Sequence, residues 1–190
     1  MRIFLVRHFE TAWNAQGILQ GAKDIPILGA PPHTLVSSVR EKLKLVRPQK
    51  VFVSPLCRTQ QTARLCGFEQ FIIDVLLREL DFGQYEGKAK TLLQMDYGEQ
   101  WLSEPSKLIF GESLANFRAR ILKFLIKHQE AEKMLIFGHG NWIRALISLA
   151  QYGHIDQMNQ LSLANGEVVE LNFTLKMLQE LLNVYQIKSS

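Results

Sequence analysis

Short, almost wholly apolar runs alternate along this chain with longer stretches in which apolar residues recur at helical spacing. Short apolar runs that are rich in β-branched residues and bounded by turn residues are typical of buried strands. The pattern predicts strands at residues 2–6, 51–54, 71–75 and 134–137, and a late edge pair at residues 166–173 and 182–186.

The stretches between these strands predict helices. Leu35, Val39 and Leu43 lie on one helical face, for example, and two prolines stand just before it, where a helix can begin. Further helices are predicted at residues 58–66, at residues 114–125 with Ser113 as the N-cap, and from just after His139 to Leu149. Strands that alternate with helices form βαβ units, so the predicted fold class is α/β, with three layers: a mostly parallel central sheet flanked by helices.

The 190 residues are expected to form a single domain, residues 1–190, because no repeat, linker or low-complexity tract interrupts the pattern. Residues 86–112 do not follow this alternation of strands and helices, because the spacing of their apolar residues is mixed. Tyr97 and Trp101 lie in this segment, near a predicted helix. We expect that segment to leave the sheet and to form a cap over a site.

Composition and charge narrow the possible partners. No apolar run approaches the roughly 20 residues of a membrane helix, and the apolar N-terminal stretch is too short for a signal peptide. We therefore expect a cytoplasmic protein with no membrane partner. Cys57 and Cys66 match neither a disulfide framework nor a zinc spacing, which favours two reduced thiols.

The net charge of +4 could attract a nucleic acid or an anionic small substrate. The most basic stretch, residues 40–50, carries apolar residues at helical spacing and lacks aromatic residues that could stack on bases. It is better interpreted as a solvated helix face, so no nucleic-acid partner is expected. The sequence leaves the oligomeric state open.

The residues with distinctive chemistry follow the ends of the predicted strands. They are Arg7-His8 after the first strand, Ser54 to Arg58 after the second, Arg78-Glu79 after the third and Gly138-His139-Gly140 after the fourth. Ligands of open α/β sheets bind at the carboxyl ends of the strands, so these side chains are expected to converge. Each residue alone could be an ordinary core or surface residue, but their joint occurrence at successive strand ends favours a site.

Such a set of residues suits a phosphate monoester. Arginine offers bidentate donors to the dianion, and a helix N-terminus adds backbone N–H groups. A neutral histidine can attack phosphorus, and one carboxylic acid can protonate the leaving oxygen and then act as a base toward water. Metal binding is the rival use of two histidines, but both stand near arginines and no compact carboxylate cluster accompanies them.

The same segments resemble the motifs of the histidine phosphatase (phosphoglycerate mutase-like) superfamily. Residues 5–14 resemble its Arg-His-Gly-Glu-Thr-x-x-Asn signature, residues 54–63 its Ser-x-x-x-Arg-x-x-x-Thr-Ala motif, and residues 79–87 its Glu-x-x-Phe-Gly-x-Trp-Glu-Gly block. Gly111-Glu112-Ser113 and Gly138-His139-Gly140 match two further motifs, and the order agrees from residue 2 to about residue 172.

The resemblance implies a metal-independent phosphatase, without a cofactor, whose partner is a small phosphorylated substrate. In that mechanism His8 is the phosphorylated nucleophile, and Glu79 is the acid and base. The remaining implied site residues bind the phosphate or border the substrate, and they are Arg7, Arg58, His139, Asn14, Gln20 and Gly21.

Three departures from the family pattern stand out. Phe9 replaces a glycine, Tyr85 replaces a tryptophan, and residues 27–32 disturb the sequence that normally leads into the next helix. If the backbone at Phe9 required a positive φ, a bulky side chain there would be strained. Otherwise the loop is conventional, or Phe9 shapes the mouth of the pocket.

Other functions remain open at the sequence level. A phosphoglycerate mutase shares the motifs but carries a longer, basic insertion where this chain offers only Lys88, Lys90 and Lys107. A protein-phosphohistidine phosphatase has little of a cap, whereas this chain has a predicted cap segment with aromatic residues. A catalytically inactive phospholigand-binding module would be expected if His8, Glu79 or His139 were replaced, and all three are present. The sequence does not identify the substrate, although the resemblance points to sugar phosphates, α-ribazole phosphate or phosphoserine-like metabolites.

Overall fold

The computed structural model describes the backbone of residues 1–187 and the side chains of residues 1–181. Its strands are β1 (Arg2–Arg7), β2 (Lys50–Val53), β3 (Ile72–Ile73), β4 (Lys133–Gly138) and β5 (Val168–Asn172). Its α-helices are α1 (Ala12–Ala15), α2 (His33–Lys44), α3 (Cys57–Leu65), α4 (Lys90–Ser103), α5 (Leu114–Lys127), α6 (Gly140–Tyr152) and α7 (Leu175–Ile187).

The strands form one sheet in the order β3-β2-β4-β1-β5, in which only β5 runs antiparallel to its neighbour. The prediction of a mostly parallel α/β sheet is confirmed. Arg7 lies opposite Gly138 and Val53 opposite Phe137, so β1, β4 and β2 end level with one another. This register brings the residues that follow the three central strands to the same edge of the sheet.

Helices cover both faces of the sheet, because the central strands are apolar on both sides. In β1, Ile3 and Leu5 pack in a core with residues of α5, α6 and α7, whereas Phe4 and Val6 pack in a second core with α2 and α3. Alternate residues of a strand point to opposite faces, so a run of apolar residues serves both cores. The three-layer prediction is confirmed.

Local signals explain where several helices begin and end. Ser113 accepts a hydrogen bond from the Asn116 amide at 3.1 Å, as an N-cap does. α6 ends at Gly153, whose φ of +77° is the left-handed conformation that glycine adopts without strain. α2 begins directly after Pro32, so the unusual residues 27–32 do not prevent that helix from forming.

The predicted strand at residues 182–186 is wrong, because these residues belong to α7. Thr174 accepts a hydrogen bond from the Met177 amide at 3.1 Å at the start of that helix. Leu178 and Leu181, three residues apart, are buried in the core. Residues 175–182 are all leucine, lysine, methionine, glutamine or glutamate, which are good helix formers. The apolar residues of this segment follow a helical period, which the prediction of a short strand missed.

Two smaller differences concern the other strands. The third predicted strand, residues 71–75, is reduced to Ile72–Ile73, since Asp74 leaves the ladder and accepts a hydrogen bond from the Leu76 amide at 3.0 Å. β5 lies within residues 166–173 and is an edge strand, and the described backbone, residues 1–187, places no further strand beside it. Within residues 1–187, none of the helices combines the length and the apolar character that crossing a membrane requires.

Phe9 occupies an ordinary backbone conformation, because its φ is not positive. Its side chain is fully buried in the second core, and its amide donates to the Thr62 hydroxyl at 2.9 Å. A Cβ added at Gly166, where φ is +75°, would lie 2.9 Å from the Phe9 ring. Phe9 is therefore a core residue that uses the space left by Gly166, and it is not part of the pocket mouth.

Candidate active site

A cavity of about 250 Å³ opens at the carboxyl edge of the sheet. Its wall includes seven of the eight residues that the sequence predicts for the site, and they are Arg7, His8, Asn14, Gln20, Gly21, Arg58 and Glu79. The eighth, His139, is fully buried and is not part of the wall. The structure thus brings the predicted residues together, with His139 behind the others.

His8 follows β1 and is only 3% exposed. Its Nδ1 lies 2.7 Å from the carbonyl oxygen of Phe9. A carbonyl only accepts hydrogen bonds, so Nδ1 carries the proton and donates it. Burial, together with the charges of Arg58 and Arg7, lowers the pKa of His8 well below its ordinary value. The ring is therefore neutral, and Nε2 keeps a free lone pair.

Arg58 lies at the start of α3 and is 1% exposed. Its guanidinium donates to the carbonyl oxygens of Lys23 at 2.7 Å and Gly21 at 2.9 Å. Its Nε donates to Nδ1 of His139 at 3.2 Å. These contacts use main-chain and imidazole acceptors rather than a carboxylate, so the positive charge of Arg58 stays available to an anion in the cavity.

His139 holds Arg58 in place from behind. Because arginine only donates, Nδ1 of His139 is unprotonated, and its Nε2–H donates to the Ser54 hydroxyl at 2.8 Å. Burial and the neighbouring cation of Arg58 lower the pKa of His139 well below its ordinary value. In this geometry both ring nitrogens bind protein atoms, so the structure does not bring His139 to the position of a direct phosphate contact.

Glu79 lies where α6 begins. Its Oε2 accepts from the backbone amide of Asn141 at 3.0 Å and from that residue's side-chain amide at 3.2 Å. Its Oε1 accepts from the amides of Leu80 at 2.9 Å and Trp142 at 3.2 Å. These hydrogen bonds fix both oxygens, and the carboxylate stays at the cavity wall on the same side as the helix N-terminus.

The loop after β1 positions the polar residues that border the cavity. Thr11 and Asn14 form a capping box at the start of α1, in which the Asn14 oxygen accepts from the Thr11 amide at 3.2 Å. The nitrogen of the Asn14 amide is then the group left for a ligand. Gln20 is 7% exposed, and its buried Oε1 has no hydrogen-bond partner among the described residues. A Cβ at Gly21, where φ is +52°, would lie 2.1 Å from Glu86.

Helix α4, which lies within residues 86–112, supplies another part of the wall. Lys90, Leu93, Gln94, Trp101 and Leu102 of α4 line the cavity. Trp101 is also buried in the core, whereas Tyr97 and Phe110 pack with Tyr85 in an aromatic cluster outside the wall.

Sequence reasoning missed several residues that the structure brings to the site. Asn141 and Arg144 of α6 line the cavity. The sequence could have indicated Arg144, because it lies one helical turn after Gly140 and therefore on the same side of the helix. Arg120 of α5 is not indicated by any comparable feature of the sequence. It pairs with Glu112 at 2.6 Å and donates to the carbonyl oxygens of Leu76 at 3.0 Å and Glu79 at 2.9 Å, so it fixes the segment that carries Glu79.

Within the part of the chain that the structure describes, no three His, Cys, Asp or Glu side chains are grouped as metal ligands would be. The concentrated charge at the site is instead the cationic charge of arginine and lysine. Such an arrangement, beside a neutral imidazole and a carboxylate, can bind a phosphate ester and can support nucleophilic and acid–base chemistry.

Two of the curated proteins to which this chain is similar are close to it in length. A protein of Hydrogenobacter thermophilus, provisionally named phosphoserine phosphatase 2, is 31% identical over 183 residues, which cover 90% of this chain and 89% of the relative. A protein of Enterobacter sp., provisionally named a phosphoglycerate mutase, is 32% identical over 200 residues, covering 90% of this chain and 92% of the relative.

Comparison with solved structures agrees with the fold. The α-ribazole phosphatase of Shigella flexneri superposes with a TM-score of 0.76 at 26% identity, over 93% of this chain and 92% of that one. The family model of the histidine phosphatase superfamily, branch 1, matches residues 3–182. This chain therefore belongs to the histidine phosphatase superfamily, in its first branch.

Proposed function

We propose that this protein is a metal-independent phosphomonoesterase that hydrolyses a small phosphorylated metabolite through a phosphohistidine on His8. The observation that carries the proposal is the state of His8: a neutral ring with Nδ1 bound to a carbonyl oxygen, in a cavity wall that also contains Arg7 and Arg58. A neutral imidazole whose second nitrogen is fixed presents one lone pair, and the arginines attract the phosphoryl group that this lone pair attacks.

The first chemical step forms a bond between Nε2 of His8 and phosphorus and breaks the bond from phosphorus to the ester oxygen. The carboxylic acid of Glu79 gives its proton to the departing oxygen, so the alcohol leaves neutral. Arg7 and Arg58 balance the negative charge on the transferring phosphoryl oxygens. His139 acts as a positioning residue in this scheme, because it holds the Nε of Arg58.

The second step returns the enzyme to its starting state. The Glu79 carboxylate takes a proton from water, and the resulting nucleophile attacks phosphorus and breaks the bond to Nε2. Inorganic phosphate leaves, Glu79 is again protonated, and His8 is again neutral. Asn14 and Gln20 are the proposed substrate contacts at the rim, and Gly21 is required because a side chain there would collide with Glu86.

A mutase is the second candidate, since one relative carries that provisional name. A phosphoglycerate mutase must retain and reorient its bound monophosphoglycerate between the two phosphoryl transfers. The segment 86–112 contributes a single cation to the cavity wall, Lys90, whereas Lys88 and Lys107 lie outside it. That sparse charge favours release of the alcohol and hydrolysis. The small cavity supports a metabolite as the substrate, in keeping with the α-ribazole phosphatase among the similar structures.

Trapping the intermediate tests the proposed function. A brief pulse of ³²P-labelled phosphomonoester should leave acid-labile, base-stable phosphate on the protein, because phosphoramidate bonds have that stability. His8→Ala should lose both the label and turnover, whereas His33→Ala, which removes an exposed histidine, should keep both. Turnover that persists in His8→Ala would overturn the mechanism. In a chase, label that leaves as inorganic phosphate supports the phosphatase, and label that returns to the alcohol supports the mutase.

The role of Glu79 is tested by changing the leaving group. General acid catalysis is typically worth about 10²–10⁴-fold, so Glu79→Gln should slow phosphorylation of His8 by an alkyl ester to about that extent. The effect on p-nitrophenyl phosphate should be much smaller, because that leaving group needs little protonation. Rapid-quench kinetics measures this first step separately from water attack, which also uses Glu79.

Asp81→Asn is the matched control for Glu79→Gln, since Asp81 lies two residues further along and is not part of the cavity wall. It should leave the ratio of the two phosphorylation rates unchanged. Equal slowing of both esters by Glu79→Gln would show that Glu79 is not the acid, and Asp81 would then be examined in that role.

The neutral state of the buried histidines predicts a pH dependence of stability. The unfolded chain protonates His8 below its ordinary pKa of about 6.5, whereas the folded chain resists protonation. As the pH falls through about 6.5 the unfolded state binds more protons, so the free energy of unfolding falls until the pH reaches the lowered folded-state pKa. His8→Asn can still donate to Phe9 and should flatten this decline by up to about 1.4 kcal/mol per pH unit.

Urea unfolding at a series of pH values from 7.5 to 5 measures that decline. His33→Asn, a change at an exposed histidine, should leave the slope as it is in the wild type. If His8→Asn also leaves the slope unchanged, His8 is not buried in the neutral form.

A further inference from the structure

The main chain around Glu79 lacks the hydrogen bonds of a regular element. A 3₁₀ turn occupies Val75–Leu77, and residues 78–82 belong to neither a helix nor a strand. Buried carbonyl groups in such a segment need donors from elsewhere in the protein. Three carbonyl groups of this segment bind one guanidinium, that of Arg120, and they belong to Leu76, Arg78 and Glu79.

Arg120 of α5 uses its donors in two directions. Nη1 donates to the carbonyl oxygens of Leu76 at 3.0 Å and Arg78 at 2.5 Å, and Nη2 donates to that of Glu79 at 2.9 Å. Nε and Nη2 also donate to the two carboxylate oxygens of Glu112, at 3.0 Å and 2.6 Å. A bidentate pair of this kind fixes the plane of the guanidinium. Glu112 therefore orients Arg120, and Arg120 holds the main chain of Glu79.

Glu112 also binds the chain just after the acid. Its Oε1 accepts from the amide of Asp81 at 3.1 Å, and its own amide donates to the carbonyl oxygen of Asp81 at 3.2 Å. A Cβ added at Gly111 would collide with the Asp81 carboxylate, so this close approach requires the glycine. The side chains of Arg120 and Glu112 are only 17% and 19% exposed, so water screens this pair less than it screens a surface pair.

The carboxylate of Glu79 is held by a different helix. It accepts from the backbone amides of Asn141 and Trp142 at the start of α6. The indole N–H of Trp142 donates to the carbonyl oxygen of Leu76 at 2.9 Å, and Arg120 binds that same oxygen. α5 therefore holds the main chain of Glu79, α6 holds its carboxylate, and the two sets of contacts meet at Leu76.

Neither Arg120 nor Glu112 is part of the cavity wall, so neither touches a phosphoryl group bound there. We infer that Arg120 and Glu112 are positioning residues for proton transfer from Glu79 to the leaving oxygen. This inference rests on the proposed phosphatase function and adds two residues that act through the acid. Proton transfer needs the carboxyl group within hydrogen-bond reach of that oxygen, and a displacement of about 1 Å can cost about 10²-fold in rate. Loss of the pair should therefore weaken acid catalysis and leave phosphate binding unchanged.

Arg120→Met tests this inference with the two esters that test Glu79. The substitution keeps an unbranched side chain near the ring of Phe117, over which the guanidinium lies at 4.6 Å, and removes every donor. In rapid-quench kinetics, phosphorylation of His8 by an alkyl ester should slow about 10- to 100-fold, and phosphorylation by p-nitrophenyl phosphate less than about threefold. The inhibition constant of inorganic phosphate should stay within about twofold of the wild-type value, because Arg7 and Arg58 are retained. A residue that only supported the fold would instead slow both esters together and weaken phosphate binding.

Milder variants and a control accompany Arg120→Met. Glu112→Gln keeps the size of the side chain and one oxygen, and it should lower the ratio of alkyl to aryl phosphorylation rates by about threefold. Arg120→Lys keeps the charge without the planar fork and should retain only part of the wild-type ratio. Lys123→Met is the matched control, because it removes an exposed cation from the next turn of α5, and it should leave the ratio unchanged. Thermal melts identify any loss of folding, and Glu112→Gln decides the question if Arg120→Met does not fold.

The double variant Glu79→Gln/Arg120→Met shows whether Arg120 acts through the acid. If it does, Arg120→Met should lower the ratio no further once Glu79 has been replaced, because the two changes remove one function. A further, additive loss of the ratio in folded protein would mean that Arg120 acts by another route, and would overturn the inference.

The outcomes separate this inference from the proposed function. Equal slowing of both esters by Arg120→Met, or an unchanged ratio in the folded variant, overturns the inference, while a labelled His8 keeps the phosphatase. If Glu79→Gln itself slows both esters equally, the acid and its positioning residues fail together, and the phosphohistidine still stands on its label. If the wild-type protein neither hydrolyses an ester nor becomes labelled, both proposals fail. A selective loss that Lys123→Met does not reproduce, and that Glu79→Gln masks, supports the inference.

Discussion

The buried guanidinium of Arg58 is the charge on which the arrangement of the site depends. It is 1% exposed, and its hydrogen bonds to Gly21, Lys23 and His139 join the loop after β1, the helix α3 and the edge of β4. The same positive charge helps to lower the pKa of His8. One buried cation therefore positions the pocket, keeps the histidine neutral and leaves its own charge free for a phosphate.

The sheet makes this arrangement possible because its central strands end in register. In this register Arg7 lies opposite Gly138 and Val53 lies opposite Phe137. The residues that follow β1, β4 and β2 therefore lie side by side at one edge of the sheet. Parallel order explains why the polar residues meet at one edge, and two apolar cores hold that order from both faces. The fold thus supports a desolvated, charged site at the edge of an apolar interior.

The sequence was sufficient to predict the parallel strands and seven of the residues in the cavity wall, because apolar runs mark buried strands and the polar residues follow them. It was misleading at α7, where leucines serve a helix and not an edge strand. It did not identify Arg120, whose role depends on carbonyl groups of a segment more than forty residues away. Nor could it place His139 behind Arg58, since which nitrogen meets which partner is a property of packed side chains.

The central claim is that the phosphoryl group is transferred twice, first to His8 and then to water. Each in-line displacement inverts the configuration at phosphorus, so two displacements restore it. The direct measurement uses a phosphorothioate ester made chiral with ¹⁸O, hydrolysed in H₂¹⁷O, with the configuration of the released thiophosphate determined by ³¹P NMR. The account predicts retention of configuration. Inversion would mean a single attack by water on the ester, without a phosphohistidine, and would contradict the account.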